Sequence, residues 1–289
     1  MNIAFARIRG LRTRILTAGT RGPALVLVHG GGLSADLFAP TVRGLADHFQ
    51  VAALDLPGCG YSDAPTDTSR PVAALCRDQV LAVADHLGHD RFTVLGSSLG
   101  AQVAVLAHLA APRRVERLVL TASASAFHSA QQIYDSVRDT LTRSTLTAAG
   151  QCSDQDVERE LRHLAPAARH QLMEILLPFT TAQALPGRTA ANTLMLSELM
   201  DPHLAGQWHV RDRLHQVTAP TLVVWGGKDP RVPLDSARSA IATLPHHRLE
   251  LFPDSGHLPF FEEPDRFNAL VTEFVTSTAA HHLTDRGVS

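Results

Sequence analysis

Continuous apolar runs, rather than alternating ones, are the feature of this sequence that most constrains its fold. They recur at residues 25–28, 51–54, 92–95, 118–120, 221–225 and 249–252. Strands that are apolar on both faces are typical of a mostly parallel sheet covered by helices. Residues 72–87, 99–111 and 264–278 can supply such helices, with Gly88 as a C-cap and Pro264 in a first turn. The sequence therefore predicts an α/β fold.

One long stretch, residues 125–215, interrupts this alternation of strand and helix. It contains apolar residues at helical spacing in four segments, residues 133–146, 154–164, 167–177 and 189–199. Prolines punctuate these segments at Pro166, Pro178, Pro186 and Pro202. The pattern predicts a helical insertion at 125–215 within a core formed by residues 1–124 and 216–289.

Composition and charge exclude several classes of protein. The formal net charge is −2 and no basic block occurs, so we expect no nucleic-acid partner. Cys59, Cys76 and Cys152 show no spacing typical of metal ligands, so we expect no metal, and free thiols fit a reducing compartment. No apolar run reaches the ~20 residues of a membrane span, and no secretory signal opens the chain. We therefore expect a cytoplasmic protein without membrane contact.

The central chemical signal is the segment Gly96-Ser97-Ser98-Leu99-Gly100, which lies between a predicted strand and a predicted helix. A nucleophilic serine on a sharp strand-to-helix turn requires this pattern and this context. Side chains at Gly96 and Gly100 are expected to collide across the turn. Only Ser98 has glycine two residues away on both sides, so Ser98 is the predicted nucleophile and Ser97 a small neighbour.

A serine hydroxyl needs a base to remove its proton and a group that orients the base. His257 follows the last apolar run and precedes the last predicted helix, a position where catalytic residues of α/β sheets collect. Asp229 follows the preceding run. The order Ser98, Asp229, His257 indicates nucleophile, acid and base. Asp254 is too close to His257 in sequence to be preferred as the acid.

The glycine-rich segment His29-Gly30-Gly31-Gly32 follows the first apolar run and is the candidate for part of an oxyanion hole. We expect the backbone N–H groups of Gly31 and Leu99 to stabilise the oxyanion, with Gly32 as an alternate. His29 is interpreted as a residue that pins this loop. Residues 55–62 lack the third glycine of a phosphate-binding loop and are interpreted as scaffold.

Together these motifs resemble the α/β-hydrolase superfamily over nearly the whole chain. The motifs occur in the family's order at residues 29–32, 55–62, 96–100, 225–229 and 256–257. The resemblance implies an α/β-hydrolase fold, a mostly parallel sheet flanked by helices. It also implies that residues 125–215 form a helical cap over the active site, and that no cofactor is needed.

Within this superfamily, the chain looks like the capped group that includes bacterial esterases and meta-cleavage-product hydrolases, which cut carbon–carbon bonds. The latter often follow His-Gly-Gly-Gly with Pro-Gly, whereas Leu33-Ser34 stands here. Haloalkane dehalogenases and epoxide hydrolases use an aspartate nucleophile, which Ser98 argues against. Cofactor-free haloperoxidase-like members share the same triad.

The expected activity is hydrolysis of a carboxylic ester or related acyl bond through an acyl-enzyme on Ser98. Carbon–carbon hydrolysis and a ligand receptor with low turnover remain as alternatives. The expected partner is a small to medium, largely apolar substrate. Gly32 is a candidate to contact this substrate, and Phe179, Met195 and Trp208 are candidates to line its pocket in the cap. The sequence predicts neither the physiological substrate nor the oligomeric state.

Overall fold

A computed structural model describes residues 1–65, 69–143, 153–168, 170–201 and 208–277. Its strands form a single sheet in the order β1-β2-β4-β3-β5-β6-β7-β8. The strands are β1 (Asn2–Ile8), β2 (Leu11–Ala18), β3 (Ala24–Val28), β4 (Gln50–Leu54), β5 (Phe92–Ser97), β6 (Val115–Thr121), β7 (Thr221–Gly226) and β8 (His247–Phe252). Strands β3 to β8 are mutually parallel, whereas β1 pairs with β2 and β2 with β4 in antiparallel fashion. The predicted mostly parallel sheet is confirmed.

The six apolar runs correspond to β3 to β8, and their side chains divide between the two faces of the sheet. Leu25 and Leu27 of β3 belong to one hydrophobic cluster, while Val26 and Val28 belong to the other. Successive side chains of a strand point to opposite faces, so this division shows that both faces are buried. That burial is the physical reason for the continuous apolar runs.

The first two strands were not predicted, because they form a hairpin in which neither strand is followed by a helix. Strand β1 is largely exposed, and Ile8 pairs with Leu11 across a two-residue turn. Arg9 and Gly10 in this turn both have positive φ, 50° and 83°. Such φ values at both central positions suit a tight hairpin turn whose twist matches that of the strands.

The helices pack on both faces of the sheet. They are α1 (Ala39–Gly44), α2 (Val72–His86), α3 (Leu99–Ala110), α4 (Ala124–Phe127), α5 (Ala130–Arg143), α6 (Asp154–Leu164), α7 (His170–Gln183), α8 (Arg188–Met200), α9 (Arg238–Ile241), α10 (Pro259–Glu262) and α11 (Pro264–Thr276). Helices α2, α3 and α11 lie where residues 72–87, 99–111 and 264–278 predicted them. Gly88 follows α2 with φ 75°, the left-handed conformation expected after a helix. No helix within the described ranges has both the length and the hydropathy to cross a membrane.

Between β6 and β7 the described residues form helices and no strand. Helix α5 packs on α8, and α6 packs on α7. Pro178 lies inside α7 rather than ending it, so this helix continues beyond the predicted segment 167–177. Parts of the sequence prediction lie outside the described residues, namely the end of segment 133–146, residue 169, Cys152, Pro202 and Thr278.

A buried ion cluster holds the amino-terminal half of the sheet to the loop after β4. The guanidinium of Arg14 on β2 donates to Asp55 at 2.7 and 3.2 Å and to Asp36 at 3.0 and 2.8 Å. Asp55 also accepts hydrogen bonds from the N–H groups of Ala35 and Tyr61, both at 2.8 Å. These contacts fix the glycine-rich loop at residues 55–62.

Candidate active site

Ser98 occupies the sharp turn between β5 and α3, where its backbone is strained. Its φ is 53° and its ψ is −118°, a conformation that side chains rarely adopt and that costs on the order of 1–3 kcal/mol. The Ser98 N–H donates to the carbonyl of Thr121 at 2.9 Å, and the hydroxyl of Ser123 donates to the carbonyl of Ser98 at 2.6 Å. The neighbouring strand therefore holds the turn in place.

Two glycines make this turn possible, although for different reasons. A Cβ at Gly96 would overlap the carbonyl of Gly100 across the turn, as expected from the sequence. A Cβ at Gly100 would instead overlap the carbonyl of Val28 at the end of β3. The turn leaves Ser98 partly exposed, whereas Ser97 is completely buried. Ser97 is thus shielded from any substrate.

His257 and Asp229 form a buried pair in the loops that follow β8 and β7. His257 Nδ1 lies 2.8 Å from Asp229 Oδ2, and the two side chains are 3% and 1% exposed. Asp229 Oδ1 accepts the N–H groups of Arg231 at 2.8 Å and Val232 at 3.0 Å. This network assigns the ring proton to Nδ1 and leaves Nε2 as an acceptor. Asp254 instead pairs with Lys228 in solvent.

Glu262 of α10 holds the loop that carries His257. Its carboxylate accepts the N–H groups of Gly256 at 2.8 Å and Leu258 at 3.2 Å, the residues on either side of His257. It also accepts the N–H of Ala167 at 2.9 Å, from the stretch between β6 and β7. Burial raises the pKa of Glu262, while these backbone hydrogen bonds lower it. No sequence motif indicates this residue, because its partners are backbone groups.

The loop after β3 makes a tight turn beside Ser98. The N–H of Leu33 donates to the carbonyl of Gly30 at 3.2 Å, and Gly32 has φ 69°, which favours glycine. His29 is completely buried and accepts the N–H of Leu56 at Nε2, 3.0 Å away, while Nδ1 lies 2.7 Å from the Gly30 carbonyl. Burial lowers the pKa of His29, so the ring is neutral and positions the loop.

One cavity brings most of the predicted site residues together, and it is called the reaction cavity below. Ser98 and His257 line it together with Gly31, Gly32 and Leu99. Its volume is about 160 Å³. Apolar side chains from the stretch between β6 and β7 complete its wall. These are Ile133, Val137, Leu164, Met195, Leu196 and Leu199.

Comparisons with known proteins show the family of this chain. The sequence model of the α/β hydrolase fold matches residues 23–264. The chain belongs to the α/β-hydrolase family. It is 29% identical to a pimeloyl-[acyl-carrier protein] methyl ester esterase of Vibrio parahaemolyticus over 88% of this chain and 94% of the relative. It is also 29% identical to a 2-hydroxy-6-oxononadienedioate/2-hydroxy-6-oxononatrienedioate hydrolase of Pseudomonas putida over 94% and 95% of the two chains.

A solved structure is similar in fold over the same extent. The 2-hydroxy-6-oxo-6-phenylhexa-2,4-dienoate hydrolase from Rhodococcus sp. strain RHA1 superimposes with a TM-score of 0.79 and 22% identity. The match covers 96% of this chain and 99% of that structure. The family model and the hydrolase relatives identify this protein as a hydrolase of the α/β-hydrolase fold.

The three expected pocket residues of this hydrolase lie in different places. Met195 lines the reaction cavity, and its methyl group lies against Gly31. Trp208 lines an adjoining cavity instead. Phe179 is 1% exposed, packs in the hydrophobic cluster on one face of the sheet and is not among the described residues that line either cavity. Helical periodicity indicates that a side chain is buried, but not which surface it meets.

Polar residues of the hydrolase that the sequence did not reveal also line the reaction cavity. Gln183 donates from Nε2 to the carbonyl of Gly32 at 2.6 Å. Asn192 lies beside Gln183, with Nδ2 3.5 Å from its amide oxygen. Glu160 of α6 and Arg231 form an ion pair that joins this helix to the loop after β7. The stretch between β6 and β7 therefore contacts both the glycine loop and the Asp229 loop.

Proposed function

We propose that this hydrolase is a serine hydrolase in which Ser98 is the nucleophile, His257 the general base and Asp229 the residue that orients the base. The observation that carries the proposal is the buried His257–Asp229 hydrogen bond at the cavity that Ser98 also lines. A base with a fixed tautomer beside a strained, partly exposed serine is the arrangement that nucleophilic catalysis requires.

The first half of the reaction acylates Ser98. Its hydroxyl proton passes to His257 Nε2 while the oxygen attacks the ester carbonyl, and Asp229 stabilises the imidazolium through Nδ1–H. We assign the N–H groups of Gly31 and Leu99 to the oxyanion of the tetrahedral intermediate. Leu99 begins α3, so its N–H also benefits from the partial positive charge at a helix N-terminus. The proton then moves from His257 to the leaving alcohol as the ester C–O bond breaks.

The second half releases the acid. Water gives a proton to His257 and attacks the acyl carbonyl, and the same N–H groups accommodate the oxyanion. Collapse of the intermediate returns the proton to Ser98 and frees the carboxylic acid. Ser98, His257 and Asp229 thus act in both halves of the reaction, and the proposed steps need no cofactor.

The reaction cavity supports an ester of a small to medium, largely apolar acid. Its wall is mostly aliphatic, and the charges of Glu160 and Arg231 are paired with each other. A neutral, mainly apolar cavity favours uncharged groups over ions. The Vibrio relative is named as a methyl ester esterase, which agrees with this choice of bond.

We further propose that residues 125–215 act as a cap on a core made of residues 1–124 and 216–289. Several contacts support this division. Leu164 accepts the N–H of His257 at 2.7 Å, Gln183 contacts Gly32, and Met195 lies against Gly31. A cover of this kind excludes water and strengthens the hydrogen bonds to the oxyanion.

A carbon–carbon hydrolase is the second candidate, because the Pseudomonas relative is named as a hydrolase of an oxo-dienedioate. A substrate of that class is a dianion and needs cationic partners in the pocket. Arg231 is the cationic side chain among the described residues of the reaction cavity, and Glu160 already pairs with it. This arrangement favours the ester.

The deciding experiment compares the wild-type protein with Ser98→Ala on p-nitrophenyl butyrate and on a vinylogous diketone acid. We expect wild-type turnover of the ester, a loss of about 10⁴-fold or more in the variant, and labelling of wild-type Ser98 by a fluorophosphonate. Preferred turnover of the diketone acid would favour the second candidate. Ester turnover that survives in Ser98→Ala would refute the mechanism.

A further inference from the structure

A second cavity, called the side cavity below, adjoins the reaction cavity beyond Leu99 and Met195. These two side chains, together with Ile133 and Leu199, line both cavities. The boundary between them is thus made of aliphatic side chains, including an unbranched methionine that adapts readily to a neighbour. The volume of the side cavity is only about 30 Å³, enough for the narrow end of a chain but not for a ring.

Two buried polar atoms at the side cavity lack a partner among the described residues. Gln102 is 3% exposed and uses its Nε2 to donate to the carbonyl of Trp208 at 2.8 Å, which leaves its Oε1 unbonded. The indole Nε1 of Trp208 is likewise buried and unbonded. One atom is an acceptor and the other a donor, and a buried polar group without a partner destabilises the fold until a ligand or water bonds to it.

The charged groups around the side cavity restrict which chemical group of a ligand can form hydrogen bonds with these two atoms. Glu198 also lines it, and its carboxylate accepts the N–H of Val72 at 2.5 Å. Neither lysine nor arginine is present among the residues that line it within the part of the chain described. His209 also lines it, but its Nε2 lies 2.6 Å from the carbonyl of His128, and the Arg77 guanidinium over the Trp208 ring pairs with Asp78. A terminal carboxylate would therefore meet Glu198 beside cationic groups that already have partners, whereas a hydroxyl can donate to Gln102 and accept from Trp208.

We propose that the side cavity is a subsite for the far end of the acyl chain, and that it selects a chain ending in a hydroxyl group. Gln102 lies four residues beyond Ser98 on α3, which places it about 6 Å further along the helix axis. The hydroxyl therefore binds at a distance from the scissile bond, and acids of medium length are the best fit. This inference rests on the proposed function, since it assigns the chain to an acyl group carried by Ser98.

The test measures kcat/KM for p-nitrophenyl esters of hexanoic acid, ω-hydroxyhexanoic acid and adipic acid as its monoester. We expect the wild-type protein to prefer the ω-hydroxy ester to the hexanoate and to use the ω-carboxy ester least. Gln102→Leu and Trp208→Phe each remove one hydrogen bond to the hydroxyl, so each should lower the hydroxy-to-hexanoate ratio by about 3- to 10-fold. Gln102→Leu also removes the bond to the carbonyl of Trp208, which Trp208→Phe keeps. Gln155→Leu, an exposed glutamine on α6, is the matched control and should keep the wild-type ratio.

The outcomes separate this subsite from the proposed function. Hydrolysis of the hexanoate with no preference for the hydroxyl would overturn the subsite, leave the serine mechanism standing and assign the two polar atoms to bound water. A preference that both variants retain would also overturn it. If Gln102→Leu does not fold, Trp208→Phe alone tests the subsite, because this variant keeps an aromatic side chain and is more conservative. Absence of any ester hydrolysis would remove the proposed function and the subsite together.

Discussion

Glu262 offers a direct way to ask whether the position of His257 limits the rate. Its two carboxylate oxygens accept the N–H groups of Gly256, Leu258 and Ala167. In Glu262→Gln one oxygen remains and can keep the bonds to Gly256 and Leu258. The new amide NH₂ then faces the N–H of Ala167. Both groups are donors, so the hydrogen bond to Ala167 is lost. The substitution therefore changes a few atoms while the volume of the side chain stays the same.

The size of the effect follows from the lost acceptor. A buried donor without a partner costs about 1–3 kcal/mol, and we expect the free energy of unfolding to fall by this amount. The loop can separate these two donors by moving. The position of His257 that is productive for catalysis then becomes less favourable, by the same free energy, relative to the displaced position. At 1.36 kcal/mol per factor of ten, this corresponds to about a 5- to 150-fold lower kcat/KM.

The assay is kcat/KM on p-nitrophenyl butyrate, combined with urea unfolding of the same preparations. Glu263→Gln is the matched control, because Glu263 contacts the Ser255 hydroxyl at 2.6 Å and Arg266 rather than the backbone beside His257. We expect the control to keep wild-type kcat/KM. A Glu262→Gln protein that is less stable but has wild-type kcat/KM at every pH would refute a positioning role and leave Glu262 a purely structural residue.

Further predictions concern backbone strain, the buried ion cluster and pH. Ser98→Gly should be more stable than Ser98→Ala by about 1 kcal/mol in urea unfolding, because glycine adopts φ 53° without strain; equal stabilities would argue against strain at the turn. Arg14→Leu leaves Asp36 and Asp55 buried without their cation, so unfolding should become easier by about 3–5 kcal/mol, and a wild-type midpoint would contradict this. Burial lowers the pKa of His29, so below about pH 6.5 the unfolded chain takes up a proton that the folded protein does not, and acid destabilises the fold. The free energy of unfolding of His29→Gln should therefore vary less with pH in this range, by up to about 1.4 kcal/mol per pH unit, and an unchanged slope would show that His29 is not the group responsible.

The sequence predicted the strands of the parallel part of the sheet, and it failed at the antiparallel edge formed by β1 and β2. Strands β3 to β7 have continuous apolar runs because helices cover both sides of the sheet, whereas β8 is mostly half-buried and Glu250 interrupts its run. Strand β1 is an exposed edge strand that leads into β2 rather than into a helix, so its apolar residues 3–6 did not fit the alternation of strand and helix. An alternating pattern on both sides of Arg9-Gly10 was the signal that could have revealed the hairpin.

The residues of the site differ in whether they belong to a local sequence motif. Gly31, Ser98 and His257 were predicted because each belongs to a local motif, and the structure places them at one cavity. Gln183 and Glu262 were not, because their function depends on contacts with backbone groups 151 and 95 residues away. Local spacing carries no information on such contacts, since they arise only when the helices between β6 and β7 pack onto the core.

These two kinds of residue separate the groups proposed for bond cleavage from the side chains that surround the substrate. Parallel strands end at the same edge of the sheet, so the loops after β3, β5, β7 and β8 meet there whatever the intervening helices contain. The groups assigned to bond cleavage lie in these loops or, like Leu99, directly after them. Much of the wall of both cavities comes instead from α5, α6 and α8, whose sequences are constrained mainly by packing. Substitutions on the cavity faces of these helices should therefore change which acyl chain is accepted while the chemistry at Ser98 is kept.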